Sequence, residues 1–207
     1  INQLFHKKID SNLYYHKLIL LVMVGRCCLI VGPMFSGKTS EALRIIRQFR
    51  KKSVPVKVFK HSSDTRYDNG SEISSHDQDS EQCTSILNID DIFSDPDYNE
   101  SQVIIVEEGQ FFDPNIVEAS RKMVNIDNKY LIIVGLSGDS NMEPIGSINR
   151  LESFADDVKR LTAYCHYCDD IADAQFTVKV DGTKNQMEVG TDQYKPACRK
   201  HYLEHTS

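Results

Sequence analysis

The stretch Gly32-Pro33-Met34-Phe35-Ser36-Gly37-Lys38-Thr39 has the residue types and spacing to hold a polyphosphate. Its glycines let backbone amides converge on phosphate oxygens, Lys38 reaches the β- and γ-phosphates, and the Thr39 hydroxyl suits Mg²⁺. Context gives the pattern its force. The apolar run Cys27 to Val31 leads into it, and a helical pattern leads out. The whole octapeptide, Gly32 to Thr39, is therefore read as the ATP-binding loop.

A second apolar run, Val103 to Val106, ends in Glu107-Glu108. P-loop proteins place a metal-side carboxylate at such a strand end. Neighbours on an extended strand end point in opposite directions. Glu107 is expected to face the metal or its water shell, and Glu108 to take the proton of an attacking hydroxyl, Gly109 leaving space beside it. The bland alternative is a solvated acidic loop. On residue types alone, Asp64 and Arg66 read as a charged turn.

Cys165-x-x-Cys168 and Cys198-x-x-His201 are two pairs at equal spacing, separated by a strand-rich stretch. Each pair can hold one edge of a tetrahedral ion, and together they close a Cys₃His site for structural Zn²⁺. Thiol redox chemistry at the CxxC would leave Cys198 and His201 unexplained. Cys27 and Cys28 read as strand residues, Cys83 as a loop thiol and His166 as a surface residue.

These residues must be positioned by alternating strands and helices. Ala42, Leu43, Ile45, Ile46 and Phe49 recur at helical spacing, opposite Arg44, Arg47 and Arg50. Val54 to Phe59 is a strand that Pro55 limits to a start or edge. Asp64 to Cys83 reads as loop or lid, Ile116 to Val124 as a helix, and Tyr130 to Leu136 as a buried strand. The expectation is an α/β protein: a P-loop NTPase-type parallel sheet flanked by helices, with a small C-terminal zinc-ribbon domain. We divide the chain into an N-terminal extension without fixed structure (1–24), a P-loop α/β ATP-binding domain (25–162) and a zinc-binding domain (163–207).

With 207 residues, 40% of them hydrophobic and 26% charged, the chain has an ordinary globular composition. A formal charge of -6 argues against a non-specific grip on nucleic acid. The apolar run Leu18 to Val24 is too short to span a bilayer or to make a full signal-peptide core. We expect no membrane partner and a reducing, cytoplasmic setting.

In order, Gly-Pro-Met-Phe-Ser-Gly-Lys-Thr, Asp64-Thr65-Arg66-Tyr67, Ser75-His76-Asp77 and Glu108-Gly109-Gln110-Phe111-Phe112 resemble type II thymidine kinases from Gly25 to Leu203. The resemblance implies phosphoryl transfer from Mg²⁺–ATP to the 5′-hydroxyl of thymidine, and the departures from the family pattern given below make deoxyuridine a competing acceptor. It implies Glu108 as the base, with Lys38 and Arg66 offsetting phosphoryl charge. Asp64, Glu107 and Gln110 are expected beside ATP and Mg²⁺. Glu188 to Tyr194 resembles that family's lasso, a loop closing over the base, so the C-terminal domain is a zinc-binding lasso domain. Met34, Phe111, Leu136, Thr177, Val189, Gly190, Thr191, Asp192 and Tyr194 would then line the acceptor site. A zinc site, a homotetramer and feedback inhibition by thymidine triphosphate are implied in the same way.

The chain departs from the family pattern between Gly135 and Ile145. Ser137 replaces an acid, Ser140 an aromatic, Met142 a basic residue and Ile145 another aromatic. Val189 stands where glycine is common, and Glu107 where aspartate is usual. Losing a stacking ring at position 140 is expected to weaken base affinity by about 1–3 kcal/mol, by analogy with aromatic–base stacking. Two other readings stay open: a P-loop ATPase whose zinc ribbon binds nucleic acid or a protein, and a descendant that binds nucleotide without turnover.

Overall fold

The computed structural model of the chain describes residues 25–64, 71–74, 79–171, 173–180 and 193–206. The predicted extension 1–24, Arg66, and Val189, Gly190, Thr191 and Asp192 lie outside them.

β1 (Arg26–Gly32) runs into the glycine loop and α1 (Lys38–Arg50) follows it. Pro55 precedes β2 (Val56–His61) and contributes only its carbonyl, which accepts the amides of Gln102 and Val103. That fits a residue with no N–H at a strand entry. The predicted loop from Asp64 to Cys83 contains a small antiparallel ribbon instead, β3 (Glu72–Ser74) against β4 (Ser80–Gln82). A short β5 (Thr84–Ile86) follows, then β6 (Val103–Glu107) and α2 (Ile116–Arg121). The helix expected to reach Val124 changes pitch after Arg121 into a π turn, Lys122–Ile126. β7 (Tyr130–Leu136) and β8 (Asp157–Arg160) complete a six-stranded sheet of order β5-β2-β6-β7-β1-β8. Every neighbouring pair in it is parallel.

The core follows from the two-residue period of its strands. Leu29, Val31, Ile104, Val106, Leu131 and Ile133 face one side, where α2 packs Ile116, Val117 and Ala119. Cys28, Ile30, Val103, Ile105, Ile132 and Val134 face the other, covered by Ala42, Leu43, Ile46 and Phe49 of α1. Two-sided burial explains the continuous apolar runs. β8 is an edge strand and mostly polar; Lys159 on it reaches Glu41 of α1 at 2.7 Å. Hydrogen bonds from Arg44, aided by Lys159, hold the Glu41 carboxyl at about 2, against the opposing effect of its burial.

At the N-terminal edge of the sheet, buried Lys129 donates to the carbonyls of Tyr98, Asn99 and Ser101, and the Tyr98 hydroxyl donates to Asp127 at 2.5 Å. The opposite edge gathers the carboxyl ends of β1, β2, β6 and β7, where open parallel sheets bind ligands.

After Thr162 the chain forms two small ribbons. β9 (Ala163–Tyr164) pairs with β10 (Asp173–Ala174), and β11 (Phe176–Lys179) with β12 (Tyr194–Ala197), before α3 (Arg199–Thr206). They hold two small apolar clusters apart from the sheet's core, one around Ala163, Cys165 and Ala174, the other around Val178, Ala197 and Tyr202. No helix among the described residues is long and apolar enough to cross a membrane.

Candidate active site

β1 ends at Gly32, where a Cβ would meet Leu161 O at 2.6 Å and Ser36 Oγ at 2.7 Å. The loop turns through left-handed Phe35 (φ 64) and Gly37 (φ 76), and no side chain caps the first turn of α1. Those amides, with the helix dipole, face whatever anion approaches. Ser36 Oγ and Lys38 Nζ both donate to Pro33 O, at 2.8 and 2.6 Å, so the loop is braced by its own side chains.

β6 delivers Glu107, only 4% exposed, at the same edge. Glu108 does not continue the strand. It adopts a left-handed conformation (φ 55, ψ 42) that opens the 3-10 turn Gly109–Phe111. A backbone turn therefore separates the two acids, not the strand alternation expected from sequence. Gly109 also serves another purpose than space for an acceptor: a Cβ there would meet Ile133 Cγ2 at 2.6 Å, so the glycine lets the turn press on β7.

Gln110, expected beside the nucleotide, is 1% exposed. Its side-chain NH₂ donates to the Glu108 carboxylate, and its oxygen accepts the Leu136 amide at 3.1 Å. It thereby ties the predicted base to the end of β7. Gly135 and Gly146 make room, since a Cβ at Gly135 would meet Gln110 Oε1 at 2.4 Å and one at Gly146 would meet Gln110 O at 2.0 Å. Nothing in the sequence singled out this bridge, because a glutamine in a short motif has no periodic signal.

Lys60 was also missed. It lies wholly buried on β2, opposite Glu107 in the strand register, donating to Glu72 O at 3.1 Å with Asp64 Oδ2 at 3.9 Å. The lysine inside an apolar run was the available clue, since buried lysine is rare without partners. Burial pushes the nearby Cys83 thiol up to about 11; Lys60 opposes this, while Glu107, Asp64 and Glu72 add to it. Asp64 and Glu107 thus share one charged neighbourhood. His61 packs edge-on to Phe112 at 4.7 Å and stands 5.9 Å from the predicted acceptor residue Phe111. Burial lowers its pKa, and its Nδ1 accepts the Ser63 amide at 3.1 Å.

On the acceptor side, the Met34 amide donates to Thr177 Oγ1 at 3.1 Å, joining the phosphate loop to β11. Leu136 is held by Gln110, and buried Tyr194 lies 6.0 Å from the Lys179 ammonium. A cleft of about 340 Å³ separates Pro33, Ser137 and Met142 from Phe176, Thr177 and Arg199. Of the predicted acceptor residues among those described, Thr177 lines it, whereas Met34, Phe111, Leu136 and Tyr194 do not. Two of the divergent positions, Ser137 and Met142, form its wall; Ser140 and Ile145 are buried instead.

Among the described residues, Cys165, Cys168, Cys198 and His201 bring their ligand atoms within 4.8 Å of one another. A tetrahedral Zn²⁺ with ordinary bond lengths implies S···S edges of about 3.8 Å and S···N edges of about 3.6 Å. The observed Cys168–Cys198 separation is 3.9 Å, and His201 Nδ1 lies 3.3 to 3.5 Å from the three sulfurs. The set fits zinc. Burial works against ionising Cys165, but amides of Cys198 and Tyr167, with His201, hold its thiol down; burial and the neighbouring sulfurs of Cys165 and Cys198 push the Cys168 thiol up, so the cluster gathers negative charge that a cation would offset. All six cysteines are unbridged, as expected for metal ligands and strand residues.

A six-stranded parallel sheet, a glycine loop entering an uncapped helix and a Cys₃His cluster define a P-loop α/β protein with a zinc-type appendage. A family model described as thymidine kinase matches residues 25–202. The chain is 36% identical over 181 residues to the thymidine kinase of myxoma virus (strain Lausanne), covering 86% of this chain and 97% of that protein. It is 37% identical over 179 residues to that of fowlpox virus (strain NVSL), 85% and 96%. It is 32% identical over 182 residues to that of vaccinia virus (strain Western Reserve), 87% and 98%. The chain belongs to the thymidine kinase family.

Proposed function

We propose that this protein transfers the γ-phosphate of ATP to the 5′-hydroxyl of thymidine, with deoxyuridine as a second acceptor. The carrying observation is the Gln110 bridge, which holds the Glu108 carboxylate against the end of β7 at the sheet edge where the phosphate loop also opens. Glu108 accepts the hydroxyl proton as O5′ forms its bond to the γ-phosphorus and the bond to the ADP oxygen breaks. Lys38 and Arg66 offset charge on the transferring group, and the amides of residues 32–39 orient the phosphates. Thr39, Asp64 and Glu107 supply the oxygen donors that suit Mg²⁺, which would neutralise phosphate charge when bound with ATP.

Met34, Phe111, Leu136, Thr177 and Tyr194, with Val189, Gly190, Thr191 and Asp192, bind the nucleoside in this reading. Cys165, Cys168, Cys198 and His201 hold a structural Zn²⁺ in a lasso domain, 163–207, that follows the P-loop domain, 25–162. A cytoplasmic homotetramer inhibited by thymidine triphosphate completes the proposal. Family membership favours it over an ATPase with a nucleic-acid-binding ribbon. A binding-only descendant would show no thymidine-dependent ADP release.

The test is a comparison of kcat/KM for thymidine, deoxyuridine and deoxycytidine. Thymidine should rank first and deoxyuridine second, by no more than about 200-fold, the most that one methyl group supplies. Deoxycytidine in first place would overturn the assignment.

A further inference from the structure

The segment after β7 contains a turn tied together by Asp139. Asp139 Oδ1 accepts the amides of Asn141 and Glu143, both at 2.8 Å, and the Asp139 amide donates to Glu143 O at 2.9 Å. Residues 139–143 therefore form one hydrogen-bonded turn, and its outer contacts seat and support it. Before it, Ser137 is fixed by its amide to Gly32 O at 3.2 Å and by its carbonyl, which accepts from Asn149 Nδ2 at 3.2 Å. Beyond it, two contacts reach the C-terminal module. Met142, in a left-handed conformation (φ 62), packs against the cluster of Val178, Ala197 and Tyr202. The Tyr202 hydroxyl donates to Ser140 O at 2.9 Å in a buried setting.

Tyr202 directly follows the predicted zinc ligand His201, and its amide donates to the carbonyl of the ligand Cys198 at 2.9 Å. The metal cluster thus fixes the start of α3, and α3 fixes Tyr202. The cleft described above has the 137–142 segment as one wall and the module as the other. The Tyr202 hydroxyl and the Met142 side chain join the 137–142 wall to the module, and the Met34–Thr177 bond joins the phosphate-loop side to it.

We propose that Tyr202 is a positioning residue: its hydroxyl seats the 139–143 turn and thereby sets nucleoside affinity, linking the Cys₃His site to the acceptor side of the protein. This rests on the reading of that side as the nucleoside site. Ser140 and Met142 depart from the family pattern, so in this chain the turn carries a buried hydroxymethyl and a thioether lodged in the module. Its seating then depends on docking to the module.

The experiment is Tyr202→Phe, which keeps the ring and removes only the hydroxyl. Tyr98→Phe, which loses a comparable phenol hydrogen bond at the opposite sheet edge, controls for general destabilisation. Expected for Tyr202→Phe is a rise of about fivefold in KM for thymidine, the scale of one net hydrogen bond. KM for ATP, kcat and bound zinc should stay at wild-type values. Amide hydrogen exchange at Asn141, Met142 and Glu143 should quicken, and Tyr98→Phe should show neither change. An unchanged thymidine KM, or equal losses in the thymidine and ATP constants, overturns the proposal. If the wild-type protein phosphorylates no nucleoside, the functional reading fails. Hydrogen exchange then judges the clamp, and an unaltered rate at the turn overturns it.

Discussion

Glu108→Gln is expected to lower kcat for thymidine phosphorylation about 100- to 10,000-fold, the range that general-base catalysis supplies. The substitution preserves shape and hydrogen bonding. Gln110 donates to one Glu108 oxygen, and an amide oxygen at position 108 can still accept that bond. What disappears is the ability to take a proton. Affinity for ATP should stay within about twofold, because the phosphate loop and the buried Asp64–Lys60 pair are untouched, and a loss confined to kcat marks an interaction made in the transition state. Steady-state kinetics with calorimetric titration of ATP would separate the two effects. A variant keeping more than about a tenth of the wild-type kcat would leave Glu108 with no role as base.

The second large effect belongs to the Cys₃His cluster. Purified protein should carry about one zinc per chain. Cys198→Ser should abolish that binding and eliminate most thymidine turnover. In small zinc-dependent domains the ion contributes about 10–16 kcal/mol of apparent folding free energy at neutral pH. Among the described residues this module has otherwise only two small apolar clusters, Ala163, Cys165 and Ala174 around the ligands and Val178, Ala197 and Tyr202 beside them. The sheet's core draws on none of them and packs its own residues on both faces. ATP should therefore still bind Cys198→Ser protein and raise its thermal midpoint, while thymidine should not. Metal analysis paired with thermal melts, ATP and thymidine each tested alone, measures this. A metal-free variant that binds thymidine normally would show that the cluster does not support the acceptor side.

Much of this arrangement was legible in the residues. β1, β6 and β7 are buried on both faces, so they read as unbroken apolar runs. α1 buries one stripe, so its apolar positions recur at helical spacing. The glycine loop and the two spaced ligand pairs carry their chemistry in local sequence. β5 and β8 did not declare themselves. β8 is a polar edge strand of Asp157, Val158, Lys159 and Arg160, and its membership comes from pairing with β1. The Glu107–Glu108 pair was found, but its geometry was misjudged, because a left-handed residue at a strand end leaves no periodic trace. Gln110 reaches Leu136 and Lys60 reaches Glu72 only through the fold, and a linear reading sees neither contact.

The hydrogen bond between the Met34 amide and Thr177 has a bearing on the order of events. The peptide that begins the phosphate grip is also one of the points where the C-terminal module touches the P-loop domain. Swinging the module outward to admit a nucleoside would break that bond and free an amide that a triphosphate can take up. A donor competing for the amide would weaken this contact, whereas an acceptor drawing the module inward would strengthen it. By thermodynamic reciprocity, each substrate alters the other's affinity by the same factor. Thr177→Val, which keeps the shape and removes the acceptor oxygen, should make the two dissociation constants independent of one another. Coupling that persists in Thr177→Val would place the communication elsewhere.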